Sequence, residues 1–297
     1  MSQYICVDIG GTSIKHGVLD ENAIIKECNQ TKTEAWLGGA AVLDKVKTIG
    51  KQYKEQYENI EGICISTAGM VDPEEGKIVF AGELMPGYTG TCIKKELEKA
   101  LEMPCEVEND VNCAGLAEYV SGSAKESHIM FCATVGTGIG GCAIVNGRVF
   151  HGASNSACEV GYIPMGDSDF QTLGASSILV RKVAEKKIEP LDMWDGKKIF
   201  ELAEKGDEVC ISAIKEMCDV LGKGLATICY VLNPDTIVLG GGIMVQKKIL
   251  ENEIIDSLKR YLKPILAEHL QVCFAEYGNE AGMVGALYNF QNKNGRK

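Results

Sequence analysis

The sequence predicts an α/β protein built from two similar halves, and three observations lead to this fold class. Four apolar runs end at or just before glycine, helical patterns lie between them, and one strand–turn–strand pattern occurs twice. Apolar runs of this kind are typical of buried strands whose carboxyl ends face a ligand. The predicted strands are Tyr4–Ile9, Gly62–Ser66, Ile129–Val135 and Thr236–Leu239.

Apolar residues recur at three- and four-residue spacing between these strands, which predicts amphipathic helices. The predicted helices are Ala41–Tyr57, Cys92–Leu101, Asn112–Val120, Ser176–Lys187, Lys197–Lys205, Glu208–Leu232 and Lys247–Leu262. Asn233 and Pro234 follow the longest helical pattern and end it, because proline cannot continue a helix.

The repeated pattern is an apolar strand, a glycine-rich turn and a second apolar strand. It occurs at Val7–Leu19 and again at Val135–Val149. This repeat predicts two related halves that each begin with a β-hairpin. We place an N-terminal α/β domain at residues 1–118 and a C-terminal α/β domain at 119–297, with a last helix at about 284–297 packing back on the first domain.

The composition disfavours two classes of partner. The 297-residue chain has a net charge of −11 and a pI of about 5.0, whereas a nucleic-acid partner requires a basic surface. No apolar run reaches the roughly 18 residues of a membrane span, and no signal peptide precedes the first strand. We therefore expect a cytoplasmic protein without a membrane or nucleic-acid partner. Its 13 cysteines lie mostly in apolar runs, which predicts reduced, buried thiols.

The turn after Asp8 has the composition of a phosphate-binding site. Gly10 and Gly11 leave backbone N–H groups bare, and such groups bind phosphate oxygens. Thr12 adds a hydroxyl and Lys15 a positive charge. Asp8 would repel phosphate unless a cation lies between them, so we expect Mg²⁺ there, held by Asp8 through water. The alternative is a plain tight hairpin with an exposed acid.

A second glycine turn follows the third predicted strand and contains Gly136, Thr137 and Gly138. Two such turns in duplicated halves can hold a polyphosphate from both sides. Gly241, within the run Gly240–Gly242, offers a further close backbone approach for adenine or ribose. The P-loop pattern is absent, and the strict dinucleotide pattern followed by a helix is absent too.

The segment Cys105–Glu118 contains a polar cluster suited to phosphorylating an alcohol. Such a reaction needs a carboxylate to accept the hydroxyl proton and amides to position the substrate. Asp110 is the candidate base and Asn109 the candidate sugar ligand, although an ordinary helix N-cap would also use these residue types. Glu159 is a second candidate sugar ligand. Gly69 follows the second predicted strand, and we expect it to border the substrate.

These motifs together resemble the ROK family (repressor, open reading frame, kinase) of the actin, hexokinase and Hsp70 superfamily. The resemblance spans nearly the whole chain and rests on four segments, "DIGGTSIKHGVL", "ENDVNCAGLAE", "VGTGIGGCAIVNGRVFHG" and "IVLGGGI". It implies two ribonuclease-H-like (actin-like ATPase) domains with a cleft between them. It also implies transfer of the γ-phosphate of ATP to a sugar hydroxyl with Mg²⁺, by a homodimer.

The resemblance assigns roles to matching positions. Asp110 takes the place of the base, whereas Asn109 and Glu159 take the places of sugar ligands. The positions that contact phosphate in the family are occupied here by Gly10, Gly11, Thr12, Thr137 and Gly138. Gly241 falls on the nucleotide side.

One departure from the family pattern bears on metal and substrate. Most members carry a histidine and three cysteines that bind structural zinc. Tyr162 stands at the histidine position, and no cysteine follows Cys158 until Cys210. We therefore expect no zinc site. The segment Ile65–Thr91 is similar to that of N-acetylmannosamine kinases, so N-acetylmannosamine is the first candidate acceptor; glucose and β-glucosides are the alternatives.

Two other classes of protein are alternatives to a kinase. A non-catalytic sugar sensor would need Asn109 and Glu159 but not Asp8, Lys15 or Asp110, so the sequence favours the enzyme. The repressors of the family carry an N-terminal helix-turn-helix, which we expect to be absent because the first motif begins so early. His151 is interpreted as an ordinary surface or loop residue.

Overall fold

The structure of the protein, a computed structural model, describes residues 2–295. In chain order the strands are β1 (Gln3–Ile9), β2 (Ser13–Asp20), β3 (Ile25–Lys32), β4 (Ile60–Thr67), β5 (Met70–Asp72), β6 (Lys77–Phe80), β7 (Cys105–Asn109), β8 (Ile129–Val135), β9 (Ile139–Val145), β10 (Arg148–Val149), β11 (Pro164–Met165), β12 (Ser168–Asp169), β13 (Thr236–Gly240) and β14 (Gln271–Phe274). The helices are α1 (Gly39–Gln56), α2 (Ile93–Leu101), α3 (Asp110–Val120), α4 (Phe170–Gly174), α5 (Ser176–Lys187), α6 (Gly196–Glu204), α7 (Glu208–Leu232), α8 (Lys247–Tyr261), α9 (Pro264–Ala267) and α10 (Ala281–Lys293).

The chain divides into two compact units. Unit 1 comprises the described parts of Met1–Gly122, Val149–Ala157 and Asn279–Lys297, and unit 2 comprises Ser123–Arg148 and Cys158–Gly278. The structure differs from the predicted division at 118/119 because the segment Val149–Ala157 belongs to unit 1, which no local pattern indicated. The C-terminal helix begins at Ala281, earlier than the predicted 284, and packs against α3 and β4 of unit 1.

Unit 1 is built on a five-stranded sheet in the order β3-β2-β1-β4-β7. Strands β1 and β2 form an antiparallel hairpin, whereas β4 and β7 run parallel to β1. The alternation of side chains along β1 assigns its two faces. Ile5 and Val7 join the core that includes residues of α1 and α2, and Tyr4 on the opposite face packs on Phe290 of α10 at 5.4 Å between ring centroids.

Unit 2 repeats this plan with the sheet order β10-β9-β8-β13-β14. Strand β9 pairs antiparallel with β8, and β13 and β14 continue the sheet in parallel. Its core collects residues from the sheet and from helices α4 to α8, with Phe131, Phe170 and Phe200 fully buried. The matching strand orders confirm the prediction of two halves that each begin with a hairpin.

The buried interior contains most of the cysteines. Among the described residues, nine cysteine side chains are buried, and burial raises the pKa of the Cys64, Cys105 and Cys113 thiols. These thiols pack as small apolar groups, as predicted. Within residues 2–295, no helix is both long and apolar enough to cross a membrane.

Candidate active site

The first glycine turn of unit 1 joins β1 to β2. The Gly10 N–H group donates to the Ser13 carbonyl at 3.0 Å and closes the turn. Thr33 is buried and holds the turn from one side: its hydroxyl donates to the Gly10 carbonyl at 2.6 Å, and its N–H group donates to the Thr12 carbonyl at 3.0 Å. Gly11 and Thr12 remain exposed, so the turn is fixed on one side and open on the other.

Gly11 has no structural reason to be glycine. Its backbone is not in the left-handed region, and no heavy atom among the described residues lies within 4 Å of the place where a Cβ would stand. Neither conformation nor packing therefore requires glycine at this position. A bare backbone at an open turn leaves room for a ligand to approach, which fits the predicted phosphate contact.

Asp8 lies one residue before the end of β1, on the face covered by α10. Its Oδ1 atom accepts a hydrogen bond of 2.7 Å from Ser66 on β4. A Cβ on Gly282 of α10 would come within 2.5 to 2.7 Å of the Asp8 carboxylate. Burial raises the pKa of Asp8, although the Ser66 hydroxyl and the charge of Lys15 act in the opposite direction. The alternative of an exposed acid is therefore wrong.

Lys15 faces Asp8 across the hairpin, but its amine donates to the Asn279 carbonyl at 3.1 Å. Among residues 2–295, no group of three His, Cys, Asp or Glu side chains could hold a metal ion. Mg²⁺ usually binds through one or two carboxylates, water and substrate phosphates. Asp8 alone beside an open glycine turn fits a Mg²⁺ ion that arrives with a nucleotide.

The joint between β7 and α3 carries the predicted base. Asn109 is the N-cap of α3, and its Oδ1 atom accepts from the N–H groups of Val111 at 2.9 Å and Asn112 at 3.1 Å. Its amide donates to the Gly69 carbonyl at 2.9 Å and to Asp110 Oδ1 at 3.0 Å. The structure thus joins Gly69, Asn109 and Asp110, and it confirms the N-cap alternative for Asn109.

The carboxyl-terminal ends of β1, β4 and β7 bring Asp8 and the pair Asn109–Asp110 to one edge of the unit 1 sheet. Asp8 on β1 is in register with Ser66 on β4, which is in register with Glu108 on β7. The Cys113 thiol on α3 shows the result: burial raises its pKa, and the nearby charges of Glu108, Asp8 and Asp110 raise it further. Three carboxylates therefore lie close enough to act on a side chain in the first turn of α3.

Tyr88 covers the opposite face of this edge. Its hydroxyl lies 2.7 Å from the Thr67 hydroxyl on β4, and its side chain is buried. Burial raises the pKa of Tyr88, as does the charge of Asp110. Tyr88 is accordingly a neutral hydroxyl beside the candidate base, and no sequence motif indicated it.

Glu108 and His151 form a second contact that the sequence did not predict. Glu108 is fully buried, and its Oε2 atom lies 2.8 Å from His151 Nε2. His151 lies in a loop, as expected, but it is not an ordinary surface residue, because its imidazole is half-buried and hydrogen-bonded to this carboxylate. No local sequence pattern could indicate this pair, because 43 residues separate the two partners.

The second glycine turn lies in unit 2 between β8 and β9. The Gly136 N–H group donates to the Gly138 carbonyl at 2.9 Å. Two hydroxyls from the first turn of α5 hold the turn: Ser176 donates to the Gly136 carbonyl at 2.6 Å and Ser177 to the Thr137 carbonyl at 2.7 Å. Thr137 is exposed, and no described atom occupies the Cβ position of Gly136.

A cavity of about 410 Å³ lies beside this turn. Its lining includes Gly136, Thr137, Val180, Phe200 and Gly242. The size suits a nucleoside, and an apolar wall with a few polar groups is typical of small-molecule sites.

Gly241 has a structural role of its own. Its φ angle is +98°, and a Cβ there would lie 2.2 Å from the Val135 carbonyl oxygen. Gly242 is the neighbour that lines the cavity and has no atom within 4 Å of a Cβ. The nucleotide contact predicted for Gly241 stays a prediction.

Glu159 precedes a short 3₁₀ turn at Val160–Tyr162 in unit 2. Its side chain is exposed, yet partial desolvation raises its pKa. Tyr162, at the position where the resemblance expects a zinc-binding histidine, is 58% exposed. An exposed carboxyl that is partly desolvated can accept hydrogen bonds from hydroxyls, and the sugar contact of Glu159 stays a prediction.

The model of the ROK family matches residues 4–293 of the chain. The chain belongs to the ROK family.

Other ROK proteins and structures resemble this chain over nearly its full length. A β-glucoside kinase of Klebsiella pneumoniae is 30% identical, covering 95% of this chain and 94% of the relative. A ROK glucokinase from Streptomyces griseus, solved with glucose and AMPPNP, has a TM-score of 0.84 and 27% identity, covering 97% of this chain and 98% of that chain. A Listeria monocytogenes protein described as a candidate N-acetylmannosamine kinase has a TM-score of 0.87 and 27% identity, covering 98% and 99%.

These ROK relatives bear directly on the class of the protein. The predicted fold, two α/β units of the actin-like ATPase type, is confirmed. Because the family model spans residues 4–293 and the relatives at 27% to 30% identity are named sugar kinases, the chain is a phosphotransferase of the sugar kinase class.

Proposed function

We propose that this ROK protein transfers the γ-phosphate of ATP to the 6-hydroxyl of a hexose or N-acetylhexosamine, with N-acetylmannosamine as the expected acceptor. The observation that carries the proposal is the junction of β7 and α3. There the Asn109 amide donates hydrogen bonds to Asp110 and to the Gly69 carbonyl. A half-buried carboxylate at a helix N-terminus is well placed to act as a base on a hydroxyl.

In the proposed reaction the sugar O–H proton passes to the Asp110 carboxylate. The sugar oxygen forms a bond to the γ-phosphorus, the bond from that phosphorus to the β-γ bridging oxygen breaks, and ADP leaves. The exposed turns at Gly11 and Thr137 offer contacts to phosphate oxygens, and Asp8 would hold Mg²⁺ through water. Bound Mg²⁺ would neutralise phosphate charge. Glu159 accepts hydrogen bonds from sugar hydroxyls.

The acceptor is chosen on two grounds. The segment Ile65–Thr91 is similar to that of N-acetylmannosamine kinases, and one of the structural neighbours is a candidate for that activity. Glucose and β-glucosides are the alternatives, because other relatives are named for them. We also expect a homodimer, which light scattering of the purified protein measures directly.

The test is ADP formation by the purified protein with ATP, Mg²⁺ and one sugar at a time. The panel contains N-acetylmannosamine, N-acetylglucosamine, glucose, mannose and a β-glucoside, with calorimetric binding of each sugar in parallel. We expect turnover with at least one sugar and the highest kcat/KM with N-acetylmannosamine. Sugar binding without any ADP formation would instead identify a sugar sensor.

The cavity of unit 2 gives a separate prediction for the nucleotide. Val180 lines the cavity, so Val180→Trp fills part of the space assigned to the nucleoside. We expect the KM for ATP to rise about tenfold or more, while the KM for the sugar stays unchanged. Val231→Trp is the matched control, since Val231 is 85% exposed and does not line the cavity. An unchanged KM for ATP in Val180→Trp would place the nucleoside elsewhere.

A further inference from the structure

Glu108 is a buried carboxylate whose hydrogen bonds are all supplied from unit 1. Its side chain is 1% exposed, and a buried charge is costly unless donors surround it. Its Oε1 atom accepts from the Asn109 N–H group at 2.8 Å and from the Asn112 amide at 2.9 Å. Its Oε2 atom pairs with His151 Nε2 at 2.8 Å. Because the carboxylate accepts, the imidazole donates.

The two partners of Oε1 stand on either side of Asp110. Asn109 caps α3 and also donates its amide to Asp110 Oδ1 at 3.0 Å, and Asn112 lies in the first turn of the helix. Any rotation of the Glu108 carboxylate therefore disturbs Asn109, whose amide holds Asp110, and Asn112 in the same first turn. A carboxylate with one fixed oxygen is free to rotate about its last bond, whereas one held at both oxygens is not.

His151 reaches Glu108 from the segment Val149–Ala157, which is far away in sequence. A hydrogen bond of 3.1 Å from the Ala157 N–H group to the His151 carbonyl closes this segment into a turn. Gly152 allows it, with a φ angle of +72° and a Cβ position 3.0 Å from Ala157 Cβ. A hydrogen-bonded turn thus holds His151 beside Glu108.

We propose that His151 is a positioning residue for Asp110. The ring N–H group of His151 fixes Oε2 of Glu108, so that Oε1 holds Asn109 and Asn112 and keeps the Asp110 carboxylate in place. This inference rests on the proposed function, because it gives Asp110 the part of the base. A misplacement of about 1 Å costs about 100-fold in rate, so the orientation of one buried carboxylate is enough to matter.

The test compares His151→Leu, which removes the donor, with His151→Gln, whose amide can donate from a similar reach. We expect His151→Leu to lower kcat about 10- to 100-fold with little change in the KM for sugar. We expect His151→Gln to recover most of the rate. Hydrogen exchange of the peptide backbone at 108–116 should become faster in His151→Leu and return towards normal in His151→Gln.

His16→Leu is the matched control for loss of a bonded histidine in unit 1. His16 is buried and lies 2.9 Å from the Tyr53 hydroxyl, with no contact to the joint of β7 and α3. We expect a lower Tm for this variant and an unchanged kcat below that temperature.

The coupling between Glu108 and His151, measured as kcat of the double variant, gives a second test. Glu108→Gln combined with His151→Leu should be about as slow as the slower single variant, because both act through one contact. A native kcat in His151→Leu, a loss that His151→Gln leaves unrepaired, or additive losses would overturn the proposal. If the unaltered protein phosphorylates no sugar, the proposed function fails first, and unchanged exchange at 108–116 in His151→Leu then rejects the positioning contact on its own.

Discussion

Asp110→Asn is expected to lower kcat by about 100- to 10,000-fold, the range that general base catalysis contributes, while sugar affinity stays close to normal. Asparagine cannot accept the hydroxyl proton, so the chemical step loses its base. The affinity should persist because the change is nearly isosteric. Stopped-flow or steady-state ADP formation gives kcat, and calorimetry gives the sugar Kd.

The structure explains why this variant should remain folded. Asp110 Oδ1 accepts from the Val111 N–H group at 2.9 Å, and an asparagine oxygen can accept the same bond. Asn109 is the N-cap of α3, so the helix does not depend on the charge at position 110. A loss of activity can then be attributed to the missing base.

Asp72→Asn is the matched control. Asp72 accepts from two backbone N–H groups in a turn of unit 1, at 3.0 Å and 3.2 Å, and the same substitution preserves those bonds. We expect full activity. Near-native turnover in Asp110→Asn would remove Asp110 from the mechanism, whatever the sugar.

Asp8→Asn is expected to lower the activity of the protein and to raise its stability. We expect phosphoryl transfer to fall about 100- to 1,000-fold, as when one preorganised electrostatic group is removed from a site, since the amide holds Mg²⁺ less well than a carboxylate. We also expect a higher Tm at neutral pH. Burial disfavours the ionised form of Asp8, and an asparagine avoids that cost.

The pH dependence of this stability follows from the direction of the pKa shift. Burial raises the pKa of Asp8 in the folded protein above its ordinary value of 3.8, so the folded state holds the proton more tightly than the unfolded chain. Stability is therefore lost as the pH rises from the unfolded pKa to the folded pKa. The Tm advantage of Asp8→Asn should be absent in acid below that interval, grow across it and stay constant above it.

Asp20→Asn, in the same unit, is expected to change the Tm in the opposite direction. Burial alone would raise the pKa of Asp20, but Lys26 at 2.9 Å and the N–H groups of Ile24 and Asn22 outweigh it and lower the pKa. This substitution should lower the Tm at neutral pH. Thermal melts without nucleotide or Mg²⁺ measure both variants, and equal Tm changes for the two would contradict the role given to burial at Asp8.

The elements of the fold were accessible from local patterns. The strand at Ile129–Val135 and the helices at Ser176–Lys187 and Glu208–Leu232 have the predicted bounds. A continuous apolar run that ends at glycine marked the buried strand, and apolar residues at three- and four-residue spacing marked the helices. Helix α3 begins at Asp110, two residues before the predicted start, because its apolar pattern starts after the polar cap.

The glycines divide into two groups that the sequence could not separate. Gly11 and Gly136 stand open, with room for a ligand, whereas Gly241 is required by its positive φ angle and by the Val135 carbonyl. All three occur in similar glycine-rich turns after strands. Only the surrounding atoms reveal which glycine the fold itself demands.

The sequence by itself determined two α/β halves, the two glycine turns and an acid at the start of a helix, because each is written in neighbouring residues. Only the tertiary structure decided that Asp8 is held by Ser66 and covered by Gly282, and that Glu108 is bonded to His151. The physical reason is that desolvation and hydrogen bonding depend on which distant segments fold over a side chain. Carboxylates that look alike at three places in the sequence therefore differ in burial and in hydrogen-bond partners, and the different roles proposed for them rest on those differences.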